Sequence, residues 1–301
     1  MRKGFTLVEM IFVLVVLAVL SAGTFKAIEA IYTRSAQAKA LTDLSLQSQI
    51  VLDQLSILLY NRIPNSVIGY DRNNLTIPAG RTAPCEPIRD LTISRPVLEW
   101  LAMADDELLR GDYDGFVDMN ASSKADNNLS TPHTIAMTYP NLNLIFAGSF
   151  DGGSEDISAC NGAFGWHGAA SDLSFDVSVG ADTISITDTV KPVYIYEKYY
   201  LSKTAYAVAR GADIDLTSSC ITDLNASADA NTLFLFYDYH PYKGENFCGD
   251  GGVGSATVLA QDVTAFSAEE SNDVIRLSID MQRDVRGRTC GVHVSKQKAV
   301  F

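Results

Sequence analysis

The sequence predicts an α+β fold: a long N-terminal helix, first transmembrane and then amphipathic, packed on an antiparallel β-sheet domain. Three observations carry it. Met10 to Leu20 is unbroken apolar sequence, and Glu9 is the only charge between Phe5 and Phe25. A helix-forming stretch follows, with apolar residues at spacings of three and four and no proline before Pro64. Beyond Pro64, short β-like runs alternate with Gly, Asn, Asp and Ser clusters.

Residues 1–4, Met-Arg-Lys-Gly, are short and basic. Residues 5–25 as a helix span roughly 31 Å, about one bilayer core. No later segment has comparable apolar length, so one membrane segment is expected, at the N-terminus. Residues 26–63 continue the helix as an amphipathic stretch with Ile28, Tyr32, Leu41, Leu44, Val51, Leu55, Leu58 and Leu59 on one stripe. One helix is expected from about Thr6 to Arg62, stopped by Pro64, with Gly23 as its weak spot.

Residues 64–301 form the expected α+β globular domain. A second helix is predicted after Ser94, through Val97, Leu98, Leu101, Leu108 and Leu109, with Gly111 as its stop. The polar stretch 111–132 reads as loop, and the Gly-rich segment 150–172 as an irregular insertion. Predicted strands are 142–150, 173–179, 183–188, 193–201, 204–210, 232–238, 256–260, 262–268 and 273–281. The runs 193–201 and 204–210 read as a hairpin turning at Ser202 and Lys203.

Composition narrows the function. Hydrophobic residues make up 47% of the chain, which excludes wholesale disorder. With 23 Lys and Arg against 36 Asp and Glu, the net charge is −13. Such a chain repels phosphate backbones and anionic lipid surfaces, so nucleic acid is a disfavoured partner.

Candidate chemistry is sparse. His133, His167, His240 and His293 are scattered, and no H-E-x-x-H, C-x-x-C or G-x-S-x-G occurs. Gly249 to Gly254 satisfies G-x-G-x-x-G but leads into a β-like run, which argues for a plain loop. Asp112, Asp114 and Asp118 form one candidate calcium cluster, and Asp151, Glu155 and Asp156 another. Neither fits a complete twelve-residue calcium loop, and solvated surface acids are the competing reading. Tyr194, Tyr196, Tyr199, Tyr200 and Tyr206 suggest either a partner or glycan surface or ordinary sheet packing.

Lys3-Gly4-Phe5-Thr6-Leu7-Val8-Glu9 resembles the class III leader junction of type IV pilins and type II secretion pseudopilins. The competing reading is a secretory signal peptide cut near Ser21-Ala22-Gly23. An ionised Glu9 inside an apolar segment is costly unless paired, and a signal peptide offers no partner. The resemblance implies cleavage after Gly4 by a prepilin peptidase and N-methylation of Phe5. It further implies that Glu9 pairs with the N-terminal amine of a neighbouring subunit, two charges meeting inside an apolar bundle.

With Arg2 and Lys3 inside, the domain faces the oxidising side of the inner membrane. Two disulfides and a leftover thiol are then expected from Cys85, Cys160, Cys220, Cys248 and Cys290. Cys220 with Cys248 is the first choice, because both flank strand 232–238; several buried, reduced cysteines are the alternative.

The tail from Ala256 to Val285 is similar to the C-terminal region of the larger minor subunits, the J-type pseudopilins and W-type minor pilins. This implies a structural subunit at or near a filament tip that initiates assembly or contacts cargo, with no catalysis and no cofactor. Its partners would be other minor and major subunits, the prepilin peptidase, the inner membrane and secreted cargo. Contacts with other subunits are expected through Leu41, Leu44, Val51, Leu55 and Leu58 and the neighbouring sheet edge. A membrane-anchored periplasmic enzyme or binding protein, and a DNA-uptake pilin, stand as alternatives.

Overall fold

The structure, a computed structural model, describes residues 7–88, 95–123, 127–146, 160, 163–169, 171–189, 191–224, 227–271, 274–285 and 291–300. Helix α1 (Leu7–Tyr60) is 54 residues long, about 80 Å at 1.5 Å per residue. Residues 7–39 are exposed almost throughout. From Ala40 onward the helix lies on the domain, burying Leu44, Ser48, Val51, Leu52, Leu55 and Leu59 at spacings that keep one face inward. After Tyr60 the chain turns beside a strand: the Ile63 amide donates to the Leu101 carbonyl at 2.9 Å.

The strands of the domain pair antiparallel throughout. The larger sheet contains β1 (Ile68–Tyr70), β2 (Cys85–Pro87), β3 (Val97–Met103), β4 (Asn128–Ser130), β5 (Asn143–Ile145), β6 (Ser174–Gly180), β7 (Thr183–Ile186), β8 (Tyr200–Arg210), β9 (Leu233–Tyr239) and β10 (Ser255–Ala260). Its path runs β2-β1-β3-β8-β5-β6-β7-β4, and β9 and β10 branch from β8. The 11-residue β8 is the hub. One edge pairs with β3; the other is shared, Leu201 facing Leu144 of β5 and Ala207 facing Phe236 of β9. A second, three-stranded sheet holds β11 (Val263–Ser271), β12 (Val274–Arg283) and β13 (Val292–Val300), in that order.

Strand alternation sorts the core. Leu98, Trp100, Val208, Leu233 and Leu235 point toward α1 and meet Val263, Phe266, Leu277, Ile279 and Met281 of the second sheet. Leu101, Ala205, Ala207, Ala209, Phe234 and Phe236 point to the opposite face, where loops carrying Phe164, Trp166 and Phe247 cover them. A third cluster, around Leu144, Phe146, Phe175, Ile184 and Tyr199, fills the β5–β7 end.

Three sequence expectations are corrected. Val97 to Leu109 is not one helix. Val97–Met103 is β3, and only Asp105–Arg110 is helical, as α2. β3 is buried on both faces, so its apolar run lacks the alternation that marks a half-buried strand. Gly111 does cap α2, in the left-handed region with φ 79. Ser94 lies outside the described residues.

The hairpin at Ser202 and Lys203 is replaced by the uninterrupted β8, and 193–199 lies outside the named strands. Neither turn residue favours positive φ, and Ser202 is paired on both sides, with Met103 and Asn143.

The stripe lies on the soluble domain, as expected of an amphipathic helix packed on the sheets, and most of it is therefore closed to the other subunits it was also expected to bind. Leu44, Val51 and Leu55 are buried under the sheets, Leu58 is partly buried, and Leu41 alone of the five is exposed.

Candidate functional site

The N-terminal anchor is built on the first turns of α1. Glu9 lies in the first turn, where the helix dipole favours an acid. The apolar residues that follow it, Met10 to Leu20, project on every side of the helix and are exposed, Leu14 by 63% and Val19 by 68%. A helix apolar all round and uncovered by its own domain is built for lipid or other helices. α1 is long and apolar enough to cross a membrane. Gly4 and Phe5 lie outside the described residues.

Disulfides join Cys220 to Cys248, as expected, and Cys85 to Cys160. Cys290 lies outside the described residues. Both bridges tie down loops on the sheet face opposite α1. Their presence fits an oxidising compartment.

The acidic cluster is spread along a loop and engaged locally. Asp112 pairs with Arg110 at 2.8 Å. Asp114 accepts the Phe116 amide at 2.9 Å, and Asp118 accepts the amides of Asn120 and Ala121. Among the described residues no three His, Cys, Asp or Glu side chains gather as a metal-binding group. Asp151, Glu155 and Asp156 lie outside those residues. The Gly249–Gly254 segment is a turn leading into β10, as expected; a Cβ at Gly252 would lie 1.9 Å from the Asn246 carbonyl oxygen.

The tyrosines do not form one surface. Tyr199 is buried beside Tyr113, and burial pushes its hydroxyl up to about 12. Tyr206 packs on Trp100, Tyr196 packs on Phe146, and Tyr194 is exposed.

Sequence reasoning missed two buried acid–base groups. Glu107 of α2 meets Lys203 at 2.7 Å and Arg110 at 3.2 Å. Burial opposes the Glu107 charge, but the hydrogen bonds from Lys203 and Tyr139 hold its carboxyl below the usual value. The second group is Glu99, in the middle of β3, with His167 at 2.8 Å. One acid inside the apolar run Val97–Met103 was the available signal.

Residues 1–25 match the family model of the prokaryotic N-terminal methylation motif, a type IV pilin-like prepilin signal. No curated protein and no solved structure matches the chain. The chain thus carries a pilin-like N-terminus on one apolar helix, joined to an antiparallel β domain. The motif implies handling by a prepilin peptidase and assembly with other pilin subunits.

Proposed function

We propose that this protein is a minor pilin or pseudopilin, a structural subunit at or near the tip of a type II secretion pseudopilus or type IV pilus. The observation that carries the reading is the methylation motif at residues 1–25, continuous with a helix whose first half is bare and whose second half bears the domain. The anchor lies in the inner membrane and the domain in the periplasm, where its disulfides form. The peptidase cuts after Gly4 and Phe5 is methylated. Glu9 then pairs with the N-terminal amine of a neighbouring subunit as the helix leaves the bilayer. A domain comprising residues 64–301 on so thin a stem is too wide to repeat at the axial spacing of packed helices. The subunit therefore associates with different subunits, or with cargo, at one end of the filament. Its role is mechanical, and we assign it no catalytic step and no resident cofactor.

Mass spectrometry of the mature N-terminus tests the reading. The expected species begins with N-methylated Phe5; a chain beginning at Thr24 overturns it in favour of a secretory signal. Quantification in isolated filaments tests the minor role, which a filament made mostly of this chain contradicts.

A further inference from the structure

On the sheet face away from α1, one buried cluster of charges takes no part in the anchor. Glu99 of β3 is fully buried, and two different elements meet its carboxylate. Oε1 lies 2.8 Å from His167 Nε2, and Oε2 accepts the hydroxyl of Tyr239 at 2.9 Å. The His167 ring stacks on Tyr70, with centroids 3.7 Å apart. The Tyr70 hydroxyl donates to Asp250 Oδ2 at 2.9 Å, and Arg72 Nε lies 3.1 Å from Asp250 Oδ1. Arg72 also reaches Asp215, at 3.7 Å on the rim. The imidazole is thus faced by Glu99 from β3 and Tyr70 from β1, while Tyr239 from β9 holds the far oxygen of Glu99. Asp250 faces it from the turn before β10, with Arg72 and Asp215 behind.

His167 is held in an unusual backbone conformation. Its φ of 48 and ψ of 40 are left-handed, between Gly165 at φ 79 and Gly168 at φ 84. A Cβ on Gly165 would lie 2.5 Å from the Pro241 carbonyl oxygen, so the segment is pressed onto the 241–243 turn. Such a conformation persists only where the surroundings over-determine it. Upstream, Cys160 is fixed to Cys85 of β2, which confines any movement of 163–169 to a local one.

Charge balance decides how tightly the segment is held. With His167 protonated, His167 and Arg72 balance Glu99 and Asp250. Without that proton, Glu99 is left with neutral donors alone, the Tyr239 hydroxyl and the Nε2–H tautomer of His167, and a buried carboxylate without a cation is costly. We propose that the His167–Glu99 pair is a pH-sensitive latch, which tightens the hold of residues 163–169 on the back of the sheet while His167 is protonated and loosens it as the pH rises, with Phe164 and Trp166 keeping the segment seated.

The direction follows from the titration. Burial alone would lower the His167 pKa, but the charge and hydrogen bond of Glu99, with Asp250 adding, raise it above 6.5. A raised value in the folded state gives stability that is complete below 6.5 and lost as pH rises through the folded value. Burial pushes the Asp250 carboxyl up as well, so its change runs in the same sense, from 3.8 upward. Burial also pushes up the hydroxyls of Tyr70 and Tyr239, which stay protonated across the window.

Hydrogen–deuterium exchange of the full-length protein in detergent, between pH 6 and 9 and corrected for intrinsic exchange rates, reads the latch. Protection of 163–169 is expected to fall by up to tenfold per pH unit above 6.5 and then level off, while β12 shows no such step. Glu99→Gln removes the carboxylate, so protection stays flat over the same range. His167→Gln gives the same flat profile, and if that variant fails to fold, Glu99→Gln carries the test. A flat wild-type profile, or an unchanged step in Glu99→Gln, overturns the proposal.

Discussion

Residues 7–39 and 40–60 of α1 share one hydrogen-bonded helix, yet the domain covers only the second part. The first part is apolar on all sides through Leu20 and contributes nothing to the fold of the domain. The second part has one inward face, Leu44, Val51, Leu52, Leu55 and Leu59, and an outward face on which Leu46, Ile50 and Ile57 remain exposed. The same helix thus faces two solvents. Lipid or other helices suit the apolar run of the first part, through Leu20; the protein's own sheets cover half of the second. Stability and assembly therefore separate along the helix, and substitutions can show where the boundary lies.

The largest effect is expected at Leu55, which is fully buried against both sheets. Leu55→Ala should cost about 2–5 kcal/mol, the transfer loss plus a cavity. Denaturant unfolding of the full-length protein in detergent measures it. Leu14→Ala, on the bare part, should leave the unfolding of the domain unchanged. Equal losses at both positions would break the division.

Next comes the face of the sheet that α1 does not touch. Replacing Cys220 and Cys248 with alanine opens the bridge across a sequence separation of 28 residues. This should cost about 2–4 kcal/mol, a loss that thermal unfolding reads. The Leu55→Ala and disulfide losses should add, since the two sites sit in different clusters on opposite faces of the sheet. A clear departure from additivity would mean that the faces unfold as a coupled unit.

A smaller, acid-side effect is expected at Glu107. Its carboxyl is held below the usual value, so its stabilisation is complete above 4.5 and is lost as pH falls through the folded value. Lys203→Met should remove about 1 kcal/mol at pH 7. Its stability should also fall less than that of the wild type on acidification from pH 5 to pH 3. Parallel pH profiles would show that the pair at 2.7 Å contributes no linkage.

The anchor and the helix were legible because their signals are local. The run from about Thr6 to Arg62 was read from periodicity and Pro64, against an observed Leu7–Tyr60. Cys220 and Cys248 were legible because each lies near an end of one obvious strand. β3 was misread because both of its faces are buried, and β8 because Ser202 and Lys203, near its start, were taken for a turn. β13 was overlooked, since VHVSKQKAV puts His, Ser, Lys and Gln among its valines and does not read as a core strand. Glu99 and His167 stand 68 residues apart, and only the topology brings them together. A motif read along the chain finds the anchor, whereas a cluster built by sheet register leaves no spacing to find.

The smallest effect on the domain, and the sharpest division between the two parts, is expected at Glu9. Glu9 sits in the first turn of α1, far along the helix from the first buried residue, Ala40. Glu9→Ala should therefore leave the unfolding midpoint of the domain where it is. In the proposed assembly its consequence lies between subunits, since a carboxylate paired with a neighbour's amine would act only once two subunits are side by side. Incorporation into filaments should fall, while the amount of membrane-inserted protein holds. Glu9→Gln should fall comparably, because it keeps the shape but loses the charge, and Glu9→Asp should retain part of the function. Co-sedimentation with sheared filaments, set against total membrane protein, separates these cases. Normal incorporation of Glu9→Ala would remove the charge pair from the mechanism and leave the apolar surface from Met10 to Leu20 as the sole driver of packing. A lowered domain midpoint would instead show that the bare part of the helix communicates with the covered one.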